Sequence, residues 1–216
     1  MAEVEIIGSS RSTYTRVARM VCEEKDVGYA LTEVELGAPE LLAIHPFGKM
    51  PVLRHGDFAL CESKAIATYL DRVFPGPQLM PSDPRLAALT EQWVSITNTV
   101  IDRTLIRTYL LAYAAPQTAD GTPDRIVIDA VMPAMREQLK ALDKAVAATG
   151  HLVGDRFGLA DINLMPILFY MQLLPESAAA LADAAHLAAY YKRHAARPSF
   201  TRTVPPLGPP RRAKAN

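Results

Sequence analysis

Apolar and polar positions along the chain keep two different rhythms, and the change between them divides it. Residues 3–7 (EVEII) are a short β-branched run closed by a hydroxyl-rich turn, which predicts a first strand. From Ser12 onward Val17, Met20, Val21 and Glu24 keep helical spacing until Gly28 stops it. Residues 29–36 (YALTEVEL) alternate like a strand, and the helix before them is long enough for a right-handed parallel crossover. PELLAIHPFG (39–48) predicts a helical turn ended by Pro46, and MPVLRHGDFALCES (50–63) a hairpin about His55, Gly56 and Asp57. Ile66, Tyr69, Leu70 and Val73 then recur at i, i+3, i+4 and i+7, so the order is βαβ followed by ββα.

The stretch FPGPQLMPSDP (74–84) holds four of the 17 prolines, and no regular element can run through it. Beyond it no strand pattern stands out. Leu86–Ala114, Val127–Ala148, Leu159–Leu174 and Leu181–Ala195 have helical length and periodicity, with Pro133 and Pro166 each predicting a start, break or kink. The expected organisation is an α/β domain with a mixed sheet over residues 1–75, a linker at 76–84, an all-α bundle over 85–204 and an irregular basic tail at 205–216. A βαβ-ββα unit ahead of helices suggests a thioredoxin-like domain joined to a helical one.

Composition adds exclusions. Half of the 216 residues are apolar, but the N-terminus carries no secretory pattern and no window approaches 18 unbroken apolar residues. The expectation is a cytoplasmic protein without a membrane span. Cys22 and Cys61 make neither a disulfide framework nor a metal-ligand spacing, so no metal is expected. Formal charge is zero, yet seven basic residues follow the last acidic one, Asp183. They are spread too thinly to argue for nucleic acid, and a solvated end is the simpler reading.

Two segments carry more specific information. HPFGKMPVL (45–53) and CESKAIATYL (61–70), about ten residues apart, closely resemble the glutathione transferase family, and the resemblance covers nearly the whole chain. It implies that Met50-Pro51 is a cis peptide bond opening a strand and that the backbone of Met50 meets the cysteinyl part of glutathione. A cis X-Pro bond is scarce and turns the chain sharply, letting an extended peptide pair with an unfilled sheet edge. It also implies that Ser63, with its backbone N–H at a helix start, holds the γ-glutamyl carboxylate while Glu62 meets the ammonium. Ser63 could instead be only a helix cap. Lys49, just before the Met50-Pro51 pair, stands in for part of the glycyl-carboxylate role, since the basic residues of related classes have no counterpart in the shorter 37–48 segment.

Serine-type members of that family use a hydroxyl near the start of the first helix to hydrogen-bond the glutathione sulfur. The match of TRVAR (15–19) puts Ser12 at that place, with Ser10 and Tyr14 as alternatives. A hydroxyl donor and a positive helix end favour thiolate over thiol, and lowering a thiol from roughly 8.5 to below 7 takes about 2 kcal/mol or more. The attacking atom belongs to the cosubstrate, so no nucleophilic triad is needed.

The implied activity is conjugation of glutathione to a hydrophobic electrophilic small molecule by a homodimer. A glutathione-dependent peroxidase or disulfide reductase is the enzymatic alternative, and a noncatalytic binding or chaperone-like relative the alternative of another class. For the electrophile pocket the sequence offers Arg11 and the i, i+4 pair Tyr109 and Tyr113. In GDRFGLADI (154–162) the family's helix-capping Ser or Thr is replaced by Gly158, which breaks one half of a capping box and leaves Asp161 as a buried structural carboxylate.

Overall fold

The structure, a computed structural model, describes residues 4–207. The chain opens with β1 (Val4–Ile7), α1 (Thr13–Glu24), β2 (Tyr29–Thr32), α2 (Pro39–Leu42), β3 (Val52–His55), β4 (Phe58–Cys61) and α3 (Ser63–Val73). The strands form one mixed sheet in the order β2-β1-β3-β4, with β1 parallel to β2 and antiparallel to β3. This is the thioredoxin-like arrangement that the element order suggests. β1 is central and nearly all apolar because both faces are covered: Val4 and Ile6 pack with α1 and α3, while Ile7 joins Leu41 of α2 and Val52 on the other side.

The strand expected over 29–36 ends at Thr32. Beyond it Glu33 turns its carboxylate onto the backbone N–H of Ser10, 3.0 Å away, so the chain leaves the ladder. The proline-rich segment has no regular element, as expected, but it is pinned. Asp71 of α3 accepts the N–H groups of Leu79 and Met80 at 2.9 Å, and the buried Lys25 donates to Asp71 and to the Pro77 carbonyl.

The helical part begins with α4 (Pro84–Ile96), capped by Asp83. It continues without interruption through π-helical turns at Thr97–Ile101 and Arg103–Leu110 into α5 (Leu111–Ala114). α6 (Arg125–Val146), α7 (Leu159–Met171), α8 (Pro175–Ala182), α9 (Ala185–Ala195) and α10 (Pro198–Thr201) follow. Pro133 and Pro166 neither start nor end a helix: α6 and α7 run through them. The helix expected over 181–195 starts later, at Ala185. Asp143 of α6 accepts the Leu187 N–H at 2.9 Å and so caps α9 from outside it.

α7 is buried on all sides, and one core runs from the sheet through α1 and α3 into it, joining Ile6, Val21 and Leu70 to Leu105, Leu139 and Met165. α1 is therefore enclosed, and even its basic residues are buried. Arg16 lies between the rings of Phe169 and Phe200 and donates to the Phe200 carbonyl at 3.0 Å. Desolvation lowers its pKa to about 10. Arg197 forms a two-pronged pair with Glu24, tying α10 to the end of α1. Val204–Leu207 carry no regular element, and the remainder of the expected basic tail, residues 208–216, lies outside the described residues.

Candidate functional site

Strand register brings the separate sequence signals to one end of the sheet. Ile7 pairs with Val52, and Val52 with Cys61. Those pairs are the last of the ladder, so the chain after Ile7 (Gly8, Ser9), the chain before Val52 (Met50, Pro51) and the chain after Cys61 (Glu62, Ser63) all leave the sheet at the same end. Gly8 is needed there, because a Cβ on it would stand 2.5 Å from Thr15 Oγ1 and 3.3 Å from Met50 Cβ. The contact continues outward, with the Ser9 N–H donating to Met50 Sδ at 3.1 Å. The Met50-Pro51 peptide bond is cis, as the resemblance implies.

Ser12 is the N-cap of α1. Its Oγ accepts the Thr15 N–H at 3.2 Å, so the hydroxyl proton is not used by the helix. A donor and the positive end of a helix thus coincide at one atom. Ser10 is buried, with its backbone N–H bonded to Glu33. Tyr14 is engaged by the π-helical turns that follow α4. Its hydroxyl donates to the Asn98 carbonyl at 3.2 Å, Arg107 lies over its ring, and burial followed by the charge of Asp102 raises its pKa well above the ordinary value.

Glu62, not Ser63, is the N-cap of α3, and it makes no side-chain cap bond. Ser63 is therefore not a helix cap, and among the described residues its hydroxyl has no protein partner. Glu62 adopts φ 70, a region that a residue with a side chain occupies only when its surroundings impose it. Such outliers concentrate at ligand clamps. The carboxylate this sends outward has 74% of its side-chain surface exposed. Lys49 is also exposed, and it forms no ion pair among the described residues.

The structure gives Tyr109 and Tyr113 a structural task. Both sit on the same helix face, and both hydroxyls reach α8. The Tyr109 hydroxyl donates to Glu176 Oε2 at 3.0 Å and the Tyr113 hydroxyl to the same oxygen at 2.6 Å, while Arg125 pairs with the other oxygen at 2.5 Å. Burial comes first among the influences on Glu176 and opposes the net shift; the Tyr113 and Arg125 hydrogen bonds outweigh it and lower the carboxyl to about 2. Tyr109 is fully buried. The pair latches α8 in place. Arg11 keeps its place in the β1–α1 loop, where its carbonyl accepts the Tyr170 hydroxyl of α7 at 2.6 Å.

Three contacts at this end of the sheet were not signalled by sequence: Glu33 on the Ser10 N–H, Tyr170 on the Arg11 carbonyl, and the buried His45 facing Glu62 with Nε2 3.5 Å from Oε1. None belongs to a local pattern. Both cysteines have raised pKa values. Burial lifts Cys22 to about 12, and burial followed by the charge of Glu62 raises Cys61. Neither is a ready thiolate. Among the described residues no group of His, Cys, Asp and Glu could hold a metal ion, and no helix is long and apolar enough to cross a membrane.

Comparison with known proteins agrees with this fold. Residues 6–78 match the family described as "Glutathione S-transferase, N-terminal domain" and residues 102–198 the one described as "Glutathione S-transferase, C-terminal domain". Glutathione S-transferase 3 of Zea mays is 30% identical over 97% of this chain and 98% of its own length. A stringent starvation protein A homolog of Haemophilus ducreyi is 27% identical over 79% of this chain and 76% of its own. A solved theta class glutathione S-transferase from Xanthomonas axonopodis pv. citri, with glutathione bound, superposes with a TM-score of 0.79 at 30% identity, over 94% of this chain and 98% of that one.

Proposed function

The chain belongs to the glutathione S-transferase family, and from that premise we propose that it joins the thiolate of glutathione to an electrophilic, largely apolar small molecule. The observation that carries the proposal is Ser12, a helix N-cap whose oxygen accepts from the helix and whose proton is left to donate. It follows β1 at the end of the sheet from which the segments holding Met50, Glu62 and Ser63 also leave, which supports the reading.

In this reading Ser12 donates a hydrogen bond to the glutathione sulfur, and the thiol proton leaves to solvent. The sulfur lone pair forms a bond to the electrophilic carbon as the leaving group departs with the bonding pair. Charge-assisted bonds contribute about 1.5–3 kcal/mol each, enough for the roughly 2 kcal/mol that thiolate formation near neutral pH requires. The Met50 backbone pairs with the cysteinyl unit, Pro51 shapes that edge, and the Ser63 hydroxyl and N–H receive the γ-glutamyl carboxylate. Glu62 takes the ammonium, Lys49 the glycyl carboxylate, and Arg11 borders the electrophile. Residues 1–75 act as the glutathione-binding unit, 76–84 as linker and 85–204 as the helical unit. The working form is a cytoplasmic homodimer, which light scattering tests directly.

Exchange chemistry through an enzyme cysteine is disfavoured by the raised pKa values of Cys22 and Cys61. The Haemophilus relative carries a name that mentions no transferase, which keeps a noncatalytic role as the second reading. Glutathione affinity, followed by turnover of a chloro-nitroaromatic, a hydroperoxide and a mixed disulfide, separates these. Conjugation of the chloro-nitroaromatic supports the transferase. Binding with no turnover supports the noncatalytic relative, and no glutathione binding removes both enzymatic readings, the transferase and the peroxidase or disulfide reductase.

A further inference from the structure

One buried polar side chain beside Glu62 has no part in the reading above. His45 follows α2 and is 2% exposed. Its Nδ1 lies 3.0 Å from the backbone nitrogen of Phe47. A backbone N–H can only donate, so Nδ1 is the acceptor and the ring carries its proton on Nε2. That nitrogen faces Glu62 Oε1 at 3.5 Å. His45 is the one ion-pair or hydrogen-bond partner of the Glu62 carboxylate among the described residues.

The two ends of this contact differ in a useful way. The imidazole is rigid, enclosed and fixed in tautomer by Phe47, whereas the Glu62 side chain is mostly in water and has three rotatable bonds. An exposed glutamate that must order itself to meet a ligand loses rotamer freedom at that moment. The φ of 70 fixes where the Glu62 side chain leaves the backbone but not where its carboxylate ends. An N–H from a buried ring can fix the second. Nε2 stands 3.5 Å from Oε1 and leaves Oε2 open to an incoming cation.

We propose that His45 is a positioning residue: its Nε2–H holds the Glu62 carboxylate in the arrangement that receives the ammonium of the γ-glutamyl group. This rests on the glutathione role proposed for Glu62. It assigns the preference for an amino-bearing thiol peptide to a pair, Glu62 touching the ligand and His45 acting through it.

The test compares KM for glutathione with KM for its deaminated analogue, which lacks only the ammonium, in four variants shown to be folded by thermal melting. Glu62→Gln should raise the glutathione KM and leave the analogue unaffected. His45→Asn can still accept the Phe47 N–H but is too short to reach Glu62. It should raise the glutathione KM by about 3- to 10-fold, the scale of ordering one side chain, with kcat and the analogue KM unchanged. His45→Gln restores an N–H donor near the Nε2 position and should bring KM back toward the original value. The double variant His45→Asn/Glu62→Gln should match Glu62→Gln alone, because the histidine acts through the glutamate. If His45→Asn weakens both thiols equally, or weakens neither while Glu62→Gln is selective, the positioning role is overturned and the glutamate's role stands. If Glu62→Gln shows no selectivity for the ammonium, the role of Glu62 falls and that of His45 with it.

Discussion

Replacing Gly158 by serine sets two expectations of opposite sign against each other. Serine is the better N-cap by a few tenths of a kcal/mol, and with Asp161 three residues on it would complete the reciprocal capping pair. Half of that pair is already present, since Asp161 Oδ2 accepts the Gly158 N–H at 3.0 Å. Packing reverses the sign. A Cβ on Gly158 would lie 2.7 Å from the Leu79 carbonyl oxygen, far inside normal contact. That oxygen cannot swing aside as a side chain would. It accepts the Leu159 N–H at 3.1 Å, and the next peptide groups are held by Asp71 at 2.9 Å. The backbone angles at Gly158, φ −146 and ψ −167, suit any residue, so the cost is steric alone. Overpacking of this kind costs about 1–3 kcal/mol, several times the capping gain. For a chain of this length that lowers Tm by about 2–12 °C. Gly158→Ala, which adds the same Cβ without a cap, should fall at least as far. Thermal unfolding with Tm unchanged or raised in Gly158→Ser would refute the steric explanation for glycine at this position.

Two further outcomes are expected from substitutions away from the proposed glutathione site. Glu176→Gln removes a charged acceptor shared by two tyrosines and Arg125. It should lower stability by about 2–3 kcal/mol in urea unfolding while leaving KM for glutathione and for the electrophile unchanged; a selective rise in electrophile KM would return Tyr109 and Tyr113 to the substrate pocket. Burial, ahead of neighbouring positive charges, lowers His194 to about 4 from an ordinary value near 6.5. A depressed folded-state value means that its stabilising contribution is present above pH about 6.5 and is lost as the pH falls toward 4, by up to about 3 kcal/mol. Asp161, raised by desolvation to about 6, works oppositely, its contribution being lost as the pH rises through that value. The stability deficit of His194→Gln relative to the parent should therefore shrink by up to about 3 kcal/mol between pH 7 and pH 4. A deficit that does not change with pH would contradict it.

Local signals in the sequence located most elements, because period-two runs and 3.6-residue spacings are set by burial on one face and burial is what the fold realises. β1, α1, the hairpin turn at Gly56 and Asp57, and α3 lie where the pattern puts them. Where the pattern failed, the deciding partner is remote in sequence. β2 stops early because Glu33 bonds the loop after β1, and α9 starts late because Asp143 caps it from α6. Tyr109 and Tyr113 have the spacing of a shared face, yet spacing cannot say whether that face meets a pocket or α8. The basic residues of α1 would be expected at a surface. They are buried because the segment from Phe200 to Thr203 supplies carbonyls and a ring to cover them. Within the candidate site, the 45–53 and 61–70 segments were legible because their residue types are unusual in combination. That they leave the sheet at the same end as the segment leading to Ser12 needed the strand order and register.

The most direct measurement is the titration of the bound thiol. With glutathione bound, ultraviolet thiolate absorbance is followed against pH for the parent protein and for Ser12→Ala, both held below their unfolding temperatures because the substitution also removes a cap contributing about 1 kcal/mol. The parent should titrate below pH 7. Ser12→Ala should titrate about 1–2 units higher, the equivalent of one charge-assisted hydrogen bond, with kcat/KM at neutral pH lowered by about tenfold or more. A bound thiol that titrates near 8.5 in the parent, or a depressed value that survives the loss of the Ser12 hydroxyl, would contradict the assignment of Ser12 as the group that stabilises the thiolate.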